Sequence, residues 1–294
     1  MKKGFHWAKD REKLLLDRAR RVVYARPVGG GELALHFFLP KTFGEEVPHP
    51  VMLFFHGGLW DRPGVVQLAP YALHYVERGA VAALVEYRTE ASHPGSKPSD
   101  AQEDGRAAIR YVRQHAGEIH ADPARVIAVG AGAGANIAGA AVLGDSLTPR
   151  EAALSTVTDS RPNAGVLLSG IYDVTKGSPC FHRCGSATEA KQVSLSRRIE
   201  AGTPPLLLIH GTADRLVPIE EVMEFAANLE RKKNPCRFLE FEGRDREFFN
   251  FNLDPVSFEA TLGEIDRFLD EQDLLKRREG DSGPHLISWR EGDF

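Results

Sequence analysis

Three short stretches hold residue types able to do chemistry, and each follows an apolar run. The first is Val126-Ile127-Ala128-Val129-Gly130-Ala131-Gly132-Ala133-Gly134-Ala135, a strand entering a helix through glycines. Two kinds of site need such a turn. A dinucleotide site uses G-x-G-x-x-A, here Gly130, Gly132 and Ala135, so that a pyrophosphate can approach the helix N-terminus. It also needs an acidic residue about 20 positions on, at a strand end. Glu151 has that spacing, but Pro149 to Asp159 does not read as a strand. A nucleophile elbow uses G-x-S-x-G, whose central residue takes strained backbone angles while its small neighbours let strand and helix approach. Gly130 and Gly134 meet that need, with Gly132 in the serine's place. Local pattern alone does not separate the two.

The other two stretches separate them. Upstream, Phe55-His56-Gly57-Gly58-Leu59-Trp60 is a strand ending in an oxyanion-type loop, where the Gly57 and Gly58 N–H groups would face a developing oxyanion together with that of Ala133. Downstream, Leu208-Ile209-His210-Gly211-Thr212-Ala213-Asp214 is a strand whose following turn carries an acid. Nucleophile before acid is the order an elbow enzyme follows, so the glycine turn reads as an elbow.

With these, further pieces make the chain resemble the bacterial esterase/lipase branch of the α/β-hydrolase superfamily, which holds acetyl-esterase-, feruloyl-esterase- and hormone-sensitive-lipase-like enzymes. They are Glu86-Tyr87-Arg88, Asp122-Pro123-Ala124-Arg125-Val126, Ser169-Gly170-Ile171-Tyr172-Asp173 and Glu242-Gly243 through Phe248-Phe249-Asn250. The resemblance runs from about Val22 to Leu269. It implies an α/β-hydrolase fold, with a mostly parallel central sheet and helices on both faces, and a Ser–His–acid triad of which Asp214 is the acid. The chain departs from that triad twice. Gly132 stands at the nucleophile position. The family's histidine lies in a pattern like E-G-x-G-H-G-F-F-N, and here Arg246 stands at that position between Asp245 and Glu247.

These departures are severe in chemical terms. The base must take a proton from the nucleophile and return it to the leaving group. Arginine stays protonated, and glycine cannot form an acyl intermediate. In a worked protease case, losing nucleophile or base alone costs on the order of a millionfold. The first expectation is therefore a non-hydrolytic, ligand-binding pseudoenzyme. Behind it stand an enzyme of different chemistry, a lyase, cyclase or isomerase working by proton transfer in the same pocket, and an esterase with a relocated nucleophile. In the first case Arg246 forms an ion pair with Asp214. His56, Gly57, Gly58, Trp60, Ala133 and Arg246 then contact a small-molecule ligand, an anion being one that arginine and backbone N–H groups would hold. No cofactor or metal is expected. Cys180, His182 and Cys184 form a C-x-H-x-C cluster that lacks a fourth metal ligand.

Positioning these residues takes alternating strands and helices. Strands are expected at Val22–Ala25, Leu33–Leu39, Val51–Phe55, Val81–Glu86, Val126–Val129, Gly165–Ser169, Leu206–Ile209 and Phe238–Phe241. Helices are expected from Ser99 or Asp100 to about Ala116, after the glycine turn, over Pro218–Arg231 and over Ser257–Leu269. Strands apolar on both faces and separated by helices indicate a covered parallel sheet. Glu86 ends a strand and is expected to make a buried hydrogen bond or ion pair, with Arg88 as one candidate partner. The division is an N-terminal arm or helix over 1–21, a hydrolase domain over 22–272 with a candidate lid at 175–200, and a tail over 273–294, where Leu286, Ile287 and Trp289 are candidates for docking.

Composition narrows the partners. The 294 residues are 42% hydrophobic, enough for a large core, and the formal net charge of −4 gives no basic footprint for nucleic acid. Three cysteines argue against a disulfide framework and fit a reducing compartment. No apolar run is long enough to span a bilayer, and Leu14-Leu15-Leu16 is too short for a signal-peptide core. A cytoplasmic protein without nucleic-acid or membrane partners is expected, with a homo-oligomer left open.

Overall fold

Continuous apolar strands demand cover on both faces, and alternation within one strand shows how it is met. In β3 (His49–Phe55), Val51, Leu53 and Phe55 join one core cluster while Met52 and Phe54 join the other. The structure, a computed structural model, describes residues 7–44, 47–144 and 158–276. Its sheet has eight strands: β1 (Arg20–Ala25), β2 (Leu33–Phe38), β3, β4 (Val81–Val85), β5 (Ala121–Ala131), β6 (Ala164–Leu168), β7 (Leu206–Gly211) and β8 (Cys236–Phe241). Their order is β1-β2-β4-β3-β5-β6-β7-β8. β2 runs antiparallel to β1 and β4, and every later pairing is parallel. This is the expected α/β-hydrolase sheet, with the antiparallel pair at one edge.

The cover comes from amphipathic helices. α2 (Ala69–Glu77) and α7 (Pro255–Glu271) bury Tyr71, Tyr75, Phe258 and Ile265 against one face. α3 (Pro98–Gln114), α4 (Ala133–Leu143) and α6 (Ile219–Arg231) bury Ile109, Ile137 and Phe225 against the other. α1 (Trp7–Leu16) precedes the sheet, and α5 (Ala187–Val193) lies in the 175–200 segment, where Ala190, Val193 and Leu195 are buried in the core.

Several local expectations are corrected. α1 ends before Arg20, so the segment expected to be one helix or arm to Arg21 splits into a helix and the start of β1. α2 was not foreseen, although Pro70 in its first turn and the spacing of Tyr71 and Tyr75 signal it. α3 starts at Pro98 with Lys97 as N-cap; Asp100 reaches back to accept the Lys97 N–H at 2.9 Å, while Ser99 turns to Glu189 instead. Glu86 makes the expected hydrogen bonds, but Arg88 is not the partner. Its carboxylate takes His36 Nε2 at 2.7 Å and the Ala34 N–H at 3.0 Å across the β2 edge, and Arg88 reaches α3 to bind Asp104 at 2.7 Å. Glu151, Leu286, Ile287 and Trp289 lie outside the described residues. Among the described residues no helix is long and apolar enough to cross a membrane.

Candidate functional site

Parallel strands leave a crevice beyond their carboxyl ends, and the chemistry-bearing residues gather there. Gly57 to Arg62 follow β3, Gly132 follows β5, Ser169 follows β6, Asp214 follows β7 and Arg246 follows β8. Gly57, Gly58, Gly132, Ser169 and Arg246 line a cavity of about 400 Å³, to which Leu59, Asp61, Arg62, Gln67, Leu216, Glu247 and Phe249 also contribute walls.

The strand–turn–helix at Gly132 has the geometry of an elbow. Gly132 has φ 54° and ψ −111°, and its N–H donates to Leu168 O at 2.9 Å. Its neighbours have no room for a side chain. A carbon built on Gly134 would lie 2.0 Å from Phe55 O, and one on Gly130 would lie 2.2 Å from Gly134 O. Small residues on either side are thus a packing requirement of β5, α4 and β3. Gly132 itself borders the cavity, and a carbon built there would lie 3.0 Å from Nη2 of Arg246.

Arg246 reaches that point because it is held at its other nitrogen. Nη1 donates to Oδ2 of Asp214 at 2.8 Å, so the expected ion pair is present. The Asp214 side chain is 0% exposed and that of Arg246 16%. Oδ1 of Asp214 accepts the N–H groups of Leu216 at 2.8 Å and Val217 at 3.1 Å, and His210 Nε2 lies 3.2 Å from Oδ2. Burial pushes the Asp214 pKa up, but the hydrogen bond from His210, the charge of Arg246 and the two N–H donors outweigh it and hold the carboxyl below its ordinary value. Nη2 of Arg246, in contrast, is buried without a partner.

A family model described as BD-FAE matches residues 35–229, about two thirds of the chain. The chain belongs to the BD-FAE family. Known esterases surround it. Esterase 2 of Thermogutta terrifontis, solved with propionate bound, is 31% identical and superposes with a TM-score of 0.81 over 90% of this chain and 97% of that one; the same esterase is known phosphorylated by paraoxon. A probable isoprenylcysteine alpha-carbonyl methylesterase of Arabidopsis thaliana is 27% identical over 71% of this chain and 47% of its own. A probable carboxylic ester hydrolase of Mycobacterium tuberculosis, LipM, is 26% identical over 65% of this chain and 47% of its own. The chain spans about half the length of these curated relatives.

The oxyanion-type loop of this BD-FAE member differs in detail from the sequence expectation. The Gly57 N–H is already taken: it donates to Gln67 Oε1 at 2.6 Å. Among the described residues the N–H groups of Gly58, Leu59 and Ala133 have no acceptor. Leu59 and Trp60 hold φ values of 54° and 60°, a left-handed pair that persists where surroundings over-determine it. Here Trp60 O accepts the Glu90 N–H at 2.9 Å and Arg183 Nη2 at 3.0 Å. The Trp60 side chain is 1% exposed and His56 2%, and neither lines the cavity. His56 stacks on Tyr87 at 4.2 Å, with Nδ1 2.6 Å from Gly57 O. Both residues therefore support the loop from behind and do not contact a ligand from its front.

Gln67 was missed in the sequence. Its Nε2 donates to Asn250 Oδ1 at 3.2 Å, and Asn250 Nδ2 donates to Glu247 Oε2 at 2.6 Å. The loop after β3 and the loop carrying Arg246 are thereby joined. Cys180 and Cys184 are free thiols, each pushed by burial to about 11, so neither is a thiolate near neutrality.

His56 supplies a pH test of this arrangement in the BD-FAE chain. Burial lowers its pKa to about 4, whereas an unfolded chain would protonate it near pH 6.5. Between those values the unfolded state binds the extra proton, so stability falls as pH drops from about 6.5 towards about 4. In NMR the His56 ring is expected to show its neutral chemical shift down to about pH 4. A titration midpoint near 6 would contradict the buried, Tyr87-stacked position.

Proposed function

We propose that this BD-FAE member has exchanged the acyl-transfer machinery of its esterase relatives for ligand binding, and that it holds a small anion where they hold an ester. One observation carries the proposal: Arg246 at the histidine position spends Nη1 on Asp214 and points Nη2 at Gly132. A guanidinium cannot act as the triad's base, and Gly132 offers no atom to acylate. The remaining apparatus of the relatives is of the anion-holding kind: free N–H groups at Gly58, Leu59 and Ala133, the last opening α4. The esterase of Thermogutta terrifontis has been solved with propionate bound, a small carboxylate of the sort the pocket would keep.

The same relative is known phosphorylated by paraoxon, which gives a direct test. Incubated with excess paraoxon, the full chain is expected to show no gain in intact mass, and to release no p-nitrophenol from p-nitrophenyl butyrate above an unfolded control. Stoichiometric phosphorylation of any serine, Ser169 being the one in the cavity wall, would overturn the proposal in favour of an esterase with a displaced nucleophile.

A further inference from the structure

A second buried polar atom without a partner belongs to the same cavity. Ser169 follows β6 with φ 43°, is 0% exposed, and leaves its Oγ unbonded. It lines the pocket with Gly132 and Arg246. Its backbone is held in place, its N–H donating to Ile209 O at 2.9 Å. A left-handed non-glycine residue with a buried, unpaired hydroxyl is unfavourable on both counts, and such residues gather at functional sites. Ser169 and Arg246 thus each bring a buried, unpartnered side-chain donor to the wall that Gly58, Leu59 and Ala133 also line.

The charge of the donor set limits what it can hold. The positive charge of Arg246 is already matched by Asp214 at 2.8 Å. Asp61, paired by Arg183 at 3.1 Å, and Glu247 add carboxylates to the wall and Arg62 adds a cation, so that three arginines balance three carboxylates. The site is thus rich in hydrogen-bond donors but close to neutral, and a dianion would bring charge that nothing in the wall compensates. A carboxylate brings one charge and two oxygens, enough to divide between the N–H groups and the side-chain donors. Leu59, Leu216 and Phe249 offer apolar wall to whatever the carboxylate carries.

Resting on the anion-binding proposal above, we infer that Ser169 and Arg246 form one jaw of a carboxylate clamp, and that the ligand is a monocarboxylate with a short apolar tail. Ser169 is the selecting residue: its hydroxyl serves the second oxygen, which an ester or amide does not present as an anion.

Titration calorimetry of the full chain at pH 7.5 with butyrate, inorganic phosphate and butyramide tests this. Butyrate is expected to bind at least about tenfold tighter than phosphate, which is partly dianionic at that pH, and than butyramide. Ser169→Ala removes the hydroxyl alone, and Ser169→Gly removes it while relaxing the left-handed backbone. Both are expected to weaken butyrate about tenfold, the size of one good hydrogen bond, and Ser169→Gly keeps the test available if Ser169→Ala folds poorly. Unchanged butyrate affinity in a folded Ser169 variant would remove Ser169 from the clamp. Phosphate binding as tightly as butyrate would overturn the monocarboxylate and leave anion binding standing. Butyramide binding as tightly as butyrate would overturn both. If butyrate fails to bind while paraoxon and the ester still find no reaction, the clamp falls and the non-hydrolytic proposal survives it.

Discussion

Gly132→Ser combined with Arg246→His is expected to raise hydrolysis of p-nitrophenyl butyrate at least about a hundredfold above either single change, because triad members act as a unit and neither is useful alone. Serine at 132 without a base stays a protonated alcohol. It is also crowded, since its Cβ would lie 3.0 Å from Nη2 of Arg246, which would have to draw back. Histidine at 246 without a nucleophile has a proton acceptor and nothing to deprotonate. Together the two changes remove the crowding and complete the set. Asp214 is already fixed by the Leu216 and Val217 N–H groups, with its Oδ2 facing position 246. A new imidazole would find its orienting partner in place. Initial-rate assays on the two single variants and the double variant decide the matter. A double variant no faster than the singles would mean that Asp245 and Glu247, which replace small residues of the esterase pattern, hold position 246 in the wrong place for a base.

Asp214→Ala is expected to cost about 3–5 kcal/mol of stability in urea unfolding, the usual penalty for stranding one half of a buried pair. It would leave the Arg246 guanidinium uncompensated and the Leu216 and Val217 N–H groups without their acceptor, while His210 Nε2 keeps Val217 O at 2.9 Å. Arg246→Met should cost less, about 1–3 kcal/mol, since Asp214 keeps three donors. Acidity separates the two variants further. The folded carboxyl sits below its ordinary value, so the unfolded chain binds the proton first as pH falls. The stability from Asp214 is complete above about pH 4 and is withdrawn as pH drops through the folded value. Asp214→Asn should therefore flatten the acid limb of the wild-type stability curve. Equal acid slopes in wild type and Asp214→Asn would show that the ion pair contributes nothing.

The sheet was readable in the sequence because burial on both faces writes strands as unbroken apolar runs, as at Val51–Phe55 and Leu206–Ile209. Gly130 and Gly134 were readable because their backbones approach another strand or helix so closely that a methyl group is excluded. Asp214 and Arg246 could be paired from their positions in a familiar order. The capture of the Gly57 N–H by Gln67 could not be read, since it depends on how the nine intervening residues fold back. Trp60 and His56 sit beside the oxyanion-type glycines in sequence, yet the positive φ at Leu59 and Trp60 turns the chain so that both rings face inward. Pairing Glu86 with Arg88 assumed that neighbours two apart would meet, whereas one serves β2 and the other α3. Ser169 was visible only as part of a motif, because an unsatisfied hydroxyl is a property of three-dimensional surroundings.

The 3.0 Å between Nη2 of Arg246 and the space beside Gly132 also bears on how such a chain can change over generations. On the proposed reading, a fitness landscape that rewards ester hydrolysis has no uphill first step from here: serine alone lacks a base and is crowded by the guanidinium, and histidine alone frees Asp214 from its charge partner without adding activity. The two positions are 114 residues apart in the chain, so one local genetic event does not alter both. On that reading, the arginine works as a ratchet against a return to ester hydrolysis.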